Sequence, residues 1–312
     1  MIMKNINEKV YLFLCLITFF LFFLQGEVQS HSIQEKGNKC HKRSNAWICK
    51  TDIANLDSSV TNKQQNVAKR ISETVAVMTY NIYGARPNGI QNIEEIAKVI
   101  TQVNPDLVAL QEVDKYTQRN AHIGDVAKRL AEITGMHYFF SKAIDFDGGE
   151  YGDAVLSKLP IKGTKSYMLG TTPELPGENR SVARVTVEKG GTEFYFISTH
   201  FDHLNKETNR VKQARDFVNI LKKLDKPVIV GGDLNDVPDS KTISILREHL
   251  LFGDRNDLNS FTFPTSTPSQ TIDYLMYFPN SAFRINLYRV YTPASITSDH
   301  FPVIAIFKIN SK

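Results

Sequence analysis

Val228-Ile229-Val230-Gly231-Gly232-Asp233-Leu234-Asn235 is the stretch on which the fold turns. An apolar run of strand length passes through two glycines and then delivers a carboxylate and an amide. A strand with one wet face alternates apolar and polar residues, whereas a strand covered on both faces reads as a continuous apolar run. Four other segments share this design: Met78-Thr79-Tyr80-Asn81-Ile82, Leu107-Val108-Ala109-Leu110-Gln111-Glu112-Val113, Phe196-Ile197-Ser198-Thr199-His200 and Ser298-Asp299-His300-Phe301-Pro302. Each alone has a bland explanation: an Asn or Gly-Gly-Asp after a strand is commonly a turn, and a single His is commonly a satisfied core residue. A surface sheet does not predict five apolar runs that each end in isolated polar groups. Charges carried on buried strands are paired, metal-bound or functional.

Working outward, Val75 to Tyr80 reads as a strand and Ile93, Ile96, Ile100 and Val103 have helical spacing. Asn92 and Glu95 stand where a capping pair would begin that helix, and Asn104-Pro105 ends it. Asp125–Thr134 reads as a second helix stopped by Gly135. Ser181–Val187 and Thr192–Thr199 flank Gly190-Gly191 as a hairpin. Lys206–Lys223 is a long helix, and Thr271–Tyr277, Ala282–Tyr291 and Phe301–Lys308 close the chain as strands. Strands outnumber helices and several pair as hairpins, so the pattern suits an α+β or mixed sandwich better than a regular βαβ array. No internal repeat or low-complexity segment is present.

The polar groups at the strand ends make one inventory. Glu112, Asp233 and Asp299 offer hard oxygen donors, which suit Mg²⁺ or Mn²⁺ over Zn²⁺. His200 and His300 titrate near neutral pH. Asn81 and Asn235 orient an oxyanion without adding charge. The set fits attack of water on a phosphate ester, assisted by a metal ion.

With those motifs in this order, the chain resembles the endonuclease/exonuclease/phosphatase superfamily, the deoxyribonuclease-I-like fold, over roughly residues 74–308. Tyr80-Asn81, Leu110-Gln111-Glu112-Val113, Gly152 to Pro160, Ser198-Thr199-His200, Gly231 to Asn235, Ile272-Asp273-Tyr274 and Ser298 to Pro302 carry the resemblance. It implies a four-layer α/β sandwich, two mixed β-sheets face to face with helices outside and the site at one end. Glu112 resembles the principal metal-binding acid, with Asn81 and Asp299 beside it. Asp233 resembles the acid that orients or deprotonates the attacking water, and Asn235 and His200 the groups that hold phosphoryl oxygens. His300 resembles the catalytic imidazole and Asp273 the carboxylate that orients it. Arg180, expected in a loop, and Tyr151 are candidate substrate contacts. Asp153 departs from the pattern, because relatives often have Asn there. It either faces the substrate or is a strand-end acid in solvent.

The charge is unevenly placed. The chain carries +4 overall. Residues 31–70 hold eight Lys/Arg against three acids, and residues 1–30 cancel, so everything after 70 is close to neutral. A basic total points to nucleic acid only when it lies on the domain that would bind it. Residues 1–30 read as a signal peptide: Lys4 and Lys9 precede an apolar run, Val10 to Leu24, that is short for a spanning helix. An uncleaved membrane anchor is the alternative. Residues 31–72 form a basic extension in which Cys40 and Cys49 suit a local disulfide in an exported, secreted or periplasmic protein. Residues 73–310 form the single catalytic domain.

The expected activity is therefore Mg²⁺-dependent hydrolysis of a phosphate ester, by a monomer with no obligate protein partner. The substrate is a nucleic acid, an inositol phosphate or a phospholipid headgroup, because the fold does not choose among nuclease, lipid or inositol phosphatase and sphingomyelinase. A non-catalytic binding module on the same fold is the reading from another class. The presence of Glu112, Asp233 and His300 argues against it.

Overall fold

The computed structural model describes residues 34–35, 38–43, 46–49, 73–86, 89–253 and 260–310. The chain divides into two units, Met1–Val67 and Ala68–Lys312. In the first, β1 (Gln34–Glu35), β2 (Asn38–Arg43) and β3 (Ala46–Cys49) form an antiparallel sheet whose register sets Cys40 opposite Cys49. The proposed leader, Val10 to Leu24, lies outside the described residues.

The second unit contains two six-stranded mixed sheets. One runs β14-β15-β4-β5-β7-β6 and the other β12-β13-β11-β10-β9-β8. The first comprises β4 (Thr74–Asn81), β5 (Leu107–Lys115), β6 (His137–Phe146), β7 (Gly149–Ser157), β14 (Phe283–Val290) and β15 (Val303–Ile309). The second comprises β8 (Gly163–Leu169), β9 (Arg180–Lys189), β10 (Thr192–His200), β11 (Val228–Asp233), β12 (Leu251–Phe252) and β13 (Asp273–Phe278). Only β4–β5 and β10–β11 pair in parallel; every other pair is antiparallel.

Three apolar clusters define four layers. Helices α1 (Ile93–Val103) and α2 (Val126–Thr134) pack on Met78, Tyr80, Val108 and Leu110. Helices α3 (Thr208–Leu221) and α4 (Lys241–Arg247) pack on Val182, Ile197, Val228 and Val230. Between the sheets, Val75, Val77, Leu107 and Ala109 meet Val185, Phe196 and Ile229. Alternate residues of one strand thus enter two different cores, which is why the decisive stretches read as unbroken apolar runs.

The expected helices and hairpin form with small differences. Gly135 ends α2 at φ 67, and Asp125 caps its start by accepting from the Lys128 amide. Asn92 precedes α1 but makes no side-chain cap bond, so the expected capping pair does not form. Gly190 and Gly191 both take positive φ at the β9–β10 turn. Arg180 opens β9 and does not lie in a loop, because its main chain already pairs with Leu169. Strands β6 and β8 and helix α4 had no sequence forecast.

Near one end of the sandwich the apolar filling gives way to a polar seam. Thr79 Oγ1 donates to Gln111 Oε1 (3.2 Å), Gln111 Nε2 to Ser198 Oγ (2.9 Å), and Ser198 Oγ to the Leu110 carbonyl (2.9 Å). Gly231 lets the sheets close there: a Cβ on it would stand 2.7 Å from Ala109 Cβ and 2.9 Å from Thr79 Cβ.

Candidate active site

The two parallel pairs point the carboxyl ends of β4, β5, β10 and β11 to the same end of the sandwich. Asn81, Glu112, His200 and Asp233 are carried at or near those ends. The register places Asp273 directly opposite Asp233, and β15 begins opposite Thr79 on β4, so the preceding Asp299-His300 arrives at the same place. That loop is fastened on both sides. Ser298 Oγ donates to the Asn81 carbonyl (2.8 Å), Tyr80 and Thr297 share a 2.5 Å hydroxyl contact, and the Phe301 amide donates to the Thr262 carbonyl.

Glu112 is aimed by a bulge. The β5–β7 register shifts between Leu110 and Val113, and Glu112 takes φ 58. Bulges re-aim side chains next to active sites, and a non-glycine residue at positive φ stores backbone strain. Asn235, just beyond β11, also has positive φ, at 50.

Asp233 is the hub. Its Oδ1 accepts from the Asn235 amide (2.9 Å). Its Oδ2 accepts from Asn81 Nδ2 (2.9 Å) and lies 3.5 Å from His200 Nε2 and 3.7 Å from His300 Nε2. Burial and the neighbouring Asp273 raise its pKa above the usual carboxylate range. His300 Nδ1 is 2.9 Å from Asp273 Oδ2, and its ring leans on Phe263 with centroids 4.7 Å apart. Burial lowers the basicity of His300, but Asp273 and Asp233 more than reverse that, so it holds its second proton up to about 10. His300 is therefore an imidazolium at neutral pH.

His200 is the opposite case. Arg180 Nη1 lies 3.2 Å from its Nδ1. A guanidinium only donates, so Nδ1 stands beside a donor, while Nε2 faces Asp233 at 3.5 Å. Burial, and then the charges of Arg180, His300 and His203, lower the pKa of His200 well below its ordinary value. Asn235 Nδ2 approaches the same Nε2 at 2.8 Å and donates to the Phe201 carbonyl (3.0 Å). Arg180 is almost wholly buried and also reaches His203 Nδ1 (3.0 Å) and Glu178 (3.0 Å).

Two groups of acids differ in their fitness for a metal. Asp233, Asp273 and His300 each place a ligand atom within 4.8 Å of the others. The His300–Asp273 bond and the cationic ring leave that group poorly suited to a cation. Glu112 and Asp299 are the better cation site. Glu112 Oε1 accepts only from Asn81 Nδ2 (3.0 Å), and its other oxygen has no partner among the described residues. Asp299 is about one-third exposed, and its pKa is raised by burial and further by the charge of Glu112. Two half-buried carboxylates that repel each other, with open oxygens, fit a hard divalent cation. Asn81 turns its amide nitrogen to Glu112 and Asp233 and its oxygen to the Tyr83 amide (3.0 Å), so as placed it orients both acids.

Tyr151 lies opposite Asp114 on β7 and is half-buried. Burial and the charge of Glu112 raise its phenol pKa well above normal. Asp153 faces neither solvent nor open site. It is 1% exposed, and its Oδ2 is 2.5 Å from Ser181 Oγ. Ser181 Oγ has one hydroxyl proton and two acceptors in reach, Asp153 Oδ2 and the Ser141 carbonyl (2.9 Å). Burial pushes Asp153 up to about 8, and its Oδ1 has no partner. A protonated carboxyl both donates and accepts, as an amide does.

Sequence reasoning missed the pairs that support this site. Asp114, buried at the end of β5, holds Arg119 in a two-pronged ion pair at 2.6 and 2.7 Å. Asp202, also buried, accepts from Asn209 (2.8 Å). The spacing of Thr199-His200-Phe201-Asp202-His203 and the Asp114 that follows Glu112-Val113 were the available signals.

Comparisons with known proteins give the family and the fold. Residues 78–300 match the model of the Endonuclease/Exonuclease/phosphatase family, and the chain belongs to that family. Among solved structures, an endonuclease/exonuclease/phosphatase from Beutenbergia cavernae is 25% identical, with TM-score 0.64, over 77% of this chain and 72% of that one. A mannosyl-6-phosphatase from Bacteroides thetaiotaomicron is 20% identical, with TM-score 0.58, over 75% and 99%. The human Nocturnin catalytic domain with bound sulfate is 21% identical, with TM-score 0.60, over 76% and 94%. The last two likenesses bear on the fold.

Proposed function

We propose that the protein is a Mg²⁺-dependent phosphate-ester hydrolase in which Asp233 accepts the proton of the attacking water and His300 acts as a cation. The observation that carries this is the single oxygen Asp233 Oδ2, set among Asn81, a neutral His200 and a charged His300. A carboxylate whose pKa is raised toward neutrality is a stronger base than an ordinary one and is still ionised in part. His300 lends its Nε2 proton to a phosphoryl or leaving-group oxygen, and Asp273 fixes its orientation. Asn235 and His200 position the phosphoryl group, with Arg180 supplying positive charge from behind. Glu112 and Asp299, steadied by Asn81, would hold the Mg²⁺, which polarises a phosphoryl oxygen when bound.

Turnover of bis(p-nitrophenyl) phosphate and p-nitrophenyl phosphate with Mg²⁺, Mn²⁺ or EDTA tests this reading. Glu112→Ala is expected to lower metal-stimulated turnover by about a thousandfold or more, the scale of several kcal/mol of lost charge stabilisation. Equal rates with and without Glu112 would overturn the metal assignment.

Export is the companion proposal. It rests on the apolar run Val10 to Leu24 behind Lys4 and Lys9, and on Cys40 facing Cys49 across β2–β3. The intact mass of the mature protein tests both parts: it should lack the leader and sit two hydrogens below the reduced form.

A further inference from the structure

Beside Glu112, three loops meet at one buried carboxylate. Asp114 is fully buried and accepts from Arg119 Nε (2.6 Å), Arg119 Nη2 (2.7 Å), Thr117 Oγ1 (3.0 Å) and Asn120 Nδ2 (2.7 Å). Asn120 Nδ2 also reaches the Gly84 carbonyl (2.8 Å), and the Arg119 amide donates to Asp147 Oδ2 (2.6 Å). The loop after β4, the loop after β5 and the β6–β7 turn are thereby locked together. The arginine is posed by this hub and not used up by it. Its Nη1 donates to nothing among the described residues, and one face of the guanidinium lies 4.6 Å from the Phe146 ring and 5.9 Å from Tyr151. Those two rings stand 5.6 Å apart at 50°, and Phe146 is 36% exposed. Asp114 follows Glu112 by two residues on β5 and pairs with Tyr151 on β7, which places this corner next to the proposed metal-binding acid.

We propose that Arg119, with the faces of Phe146 and Tyr151, is the receptor for the group esterified to the phosphate, and that this group is an uncharged polyhydroxylated ring, a sugar or a cyclitol. The inference rests on the hydrolase reading above. The chemistry of the corner selects the class. Asp114 neutralises Arg119, and Asp147 and Glu112 add negative charge beside the pair, so the corner has no positive charge to spare for a second phosphate. Arg119 Nη1, which has no partner among the described residues, can donate to hydroxyl oxygens, and the 36% exposed Phe146 offers apolar ring surface beside it to a saturated ring. A polar rim of fixed donors with aromatic walls orients such ligands. A surface ion pair that merely braced loops would not need a desolvated carboxylate and an unused guanidinium edge.

The test compares glucose 6-phosphate, p-nitrophenyl phosphate and thymidine 5′-phosphate in the wild type, Arg119→Lys and Phe146→Ala. Lysine keeps a cation on Asp114 and loses the fork, and Phe146→Ala leaves the hub intact. A lost hydrogen bond from a charged donor corresponds to about a tenfold loss or more, so KM for glucose 6-phosphate should rise by about that factor in both variants. Rates on p-nitrophenyl phosphate should change less than about twofold on the same scale. Parallel losses on both esters would make Arg119 a structural brace, and losses confined to the nucleotide would make the corner a base-stacking site. Either result overturns the proposal. Calorimetric titration of glucose 6-phosphate in EDTA separates the two levels, because it needs no turnover. If the wild type hydrolyses neither ester the hydrolase reading fails. The receptor still stands if Arg119→Lys weakens that binding, and falls if both proteins bind alike or not at all.

Discussion

The two histidine corners of the site are built from similar parts and reach opposite charge states. His300 and His200 are both buried, and both turn Nε2 toward Asp233 Oδ2. What differs is the partner at Nδ1. Asp273 stands behind His300, whereas Arg180 stands behind His200. A carboxylate at that position favours the imidazolium and a guanidinium forbids it. One ring type thus serves as a cation on one side of Asp233 and as a neutral dipole on the other.

The largest effect should come from erasing that difference on the His300 side. Asp273→Asn removes the charge that holds the imidazolium, and kcat at pH 7 is expected to fall by about a hundredfold to ten-thousandfold, the range for a misplaced acid–base group. A fall of less than about tenfold would break the contrast between the corners. Arg180→Met attacks the other side. With the guanidinium gone, the His200 pKa should rise toward its ordinary value, read by NMR titration of the ring, and kcat should fall by a smaller factor, about tenfold to a hundredfold. An unmoved His200 titration would show that burial alone keeps it neutral.

The smallest effect lies beneath the site and is a matter of stability. Asp153 keeps its proton to about 8 in the folded chain, whereas an unfolded Asp releases it near its ordinary pKa of about 4. Between those values the folded state binds the extra proton, so its stability declines as pH rises through the window and the contribution is gone above it. Asp153→Asn keeps the donor to Ser181 without a titration. The variant should therefore melt higher than the wild type at pH 8, by an amount on the order of a few kcal/mol, and nearly level with it at pH 4. Equal melting curves at pH 8 would mean that Asp153 is ionised and paired.

The sequence exposed the strand-end acids and imidazoles because each interrupts an apolar run that is buried on both faces. It gave the layers of the sandwich only through the family resemblance. It concealed β6 and β8, which lie at the edges of their sheets and are largely exposed, so no apolar run or clean alternation marks them. It misplaced Arg180, because Glu178-Asn179 beside it reads as a turn. The neutral state of Asp153 was not legible at all. It depends on burial between the two sheets, with Ser181 on a strand of the other sheet as its partner, which no local pattern encodes. The Asp114–Arg119 pair was hidden for the same reason: its partners are loops brought together only by the fold.

Strand β15, the last in the chain, pairs with β4, the first of the catalytic unit, and the residues just before it are Asp299 and His300. During synthesis β4 therefore lacks one hydrogen-bonded neighbour until β15 has been made. A nascent chain that stops before Asp299 lacks the imidazole and one of the proposed metal acids together. On the proposed roles of these two residues, a product terminated before Asp299 would be released without turnover.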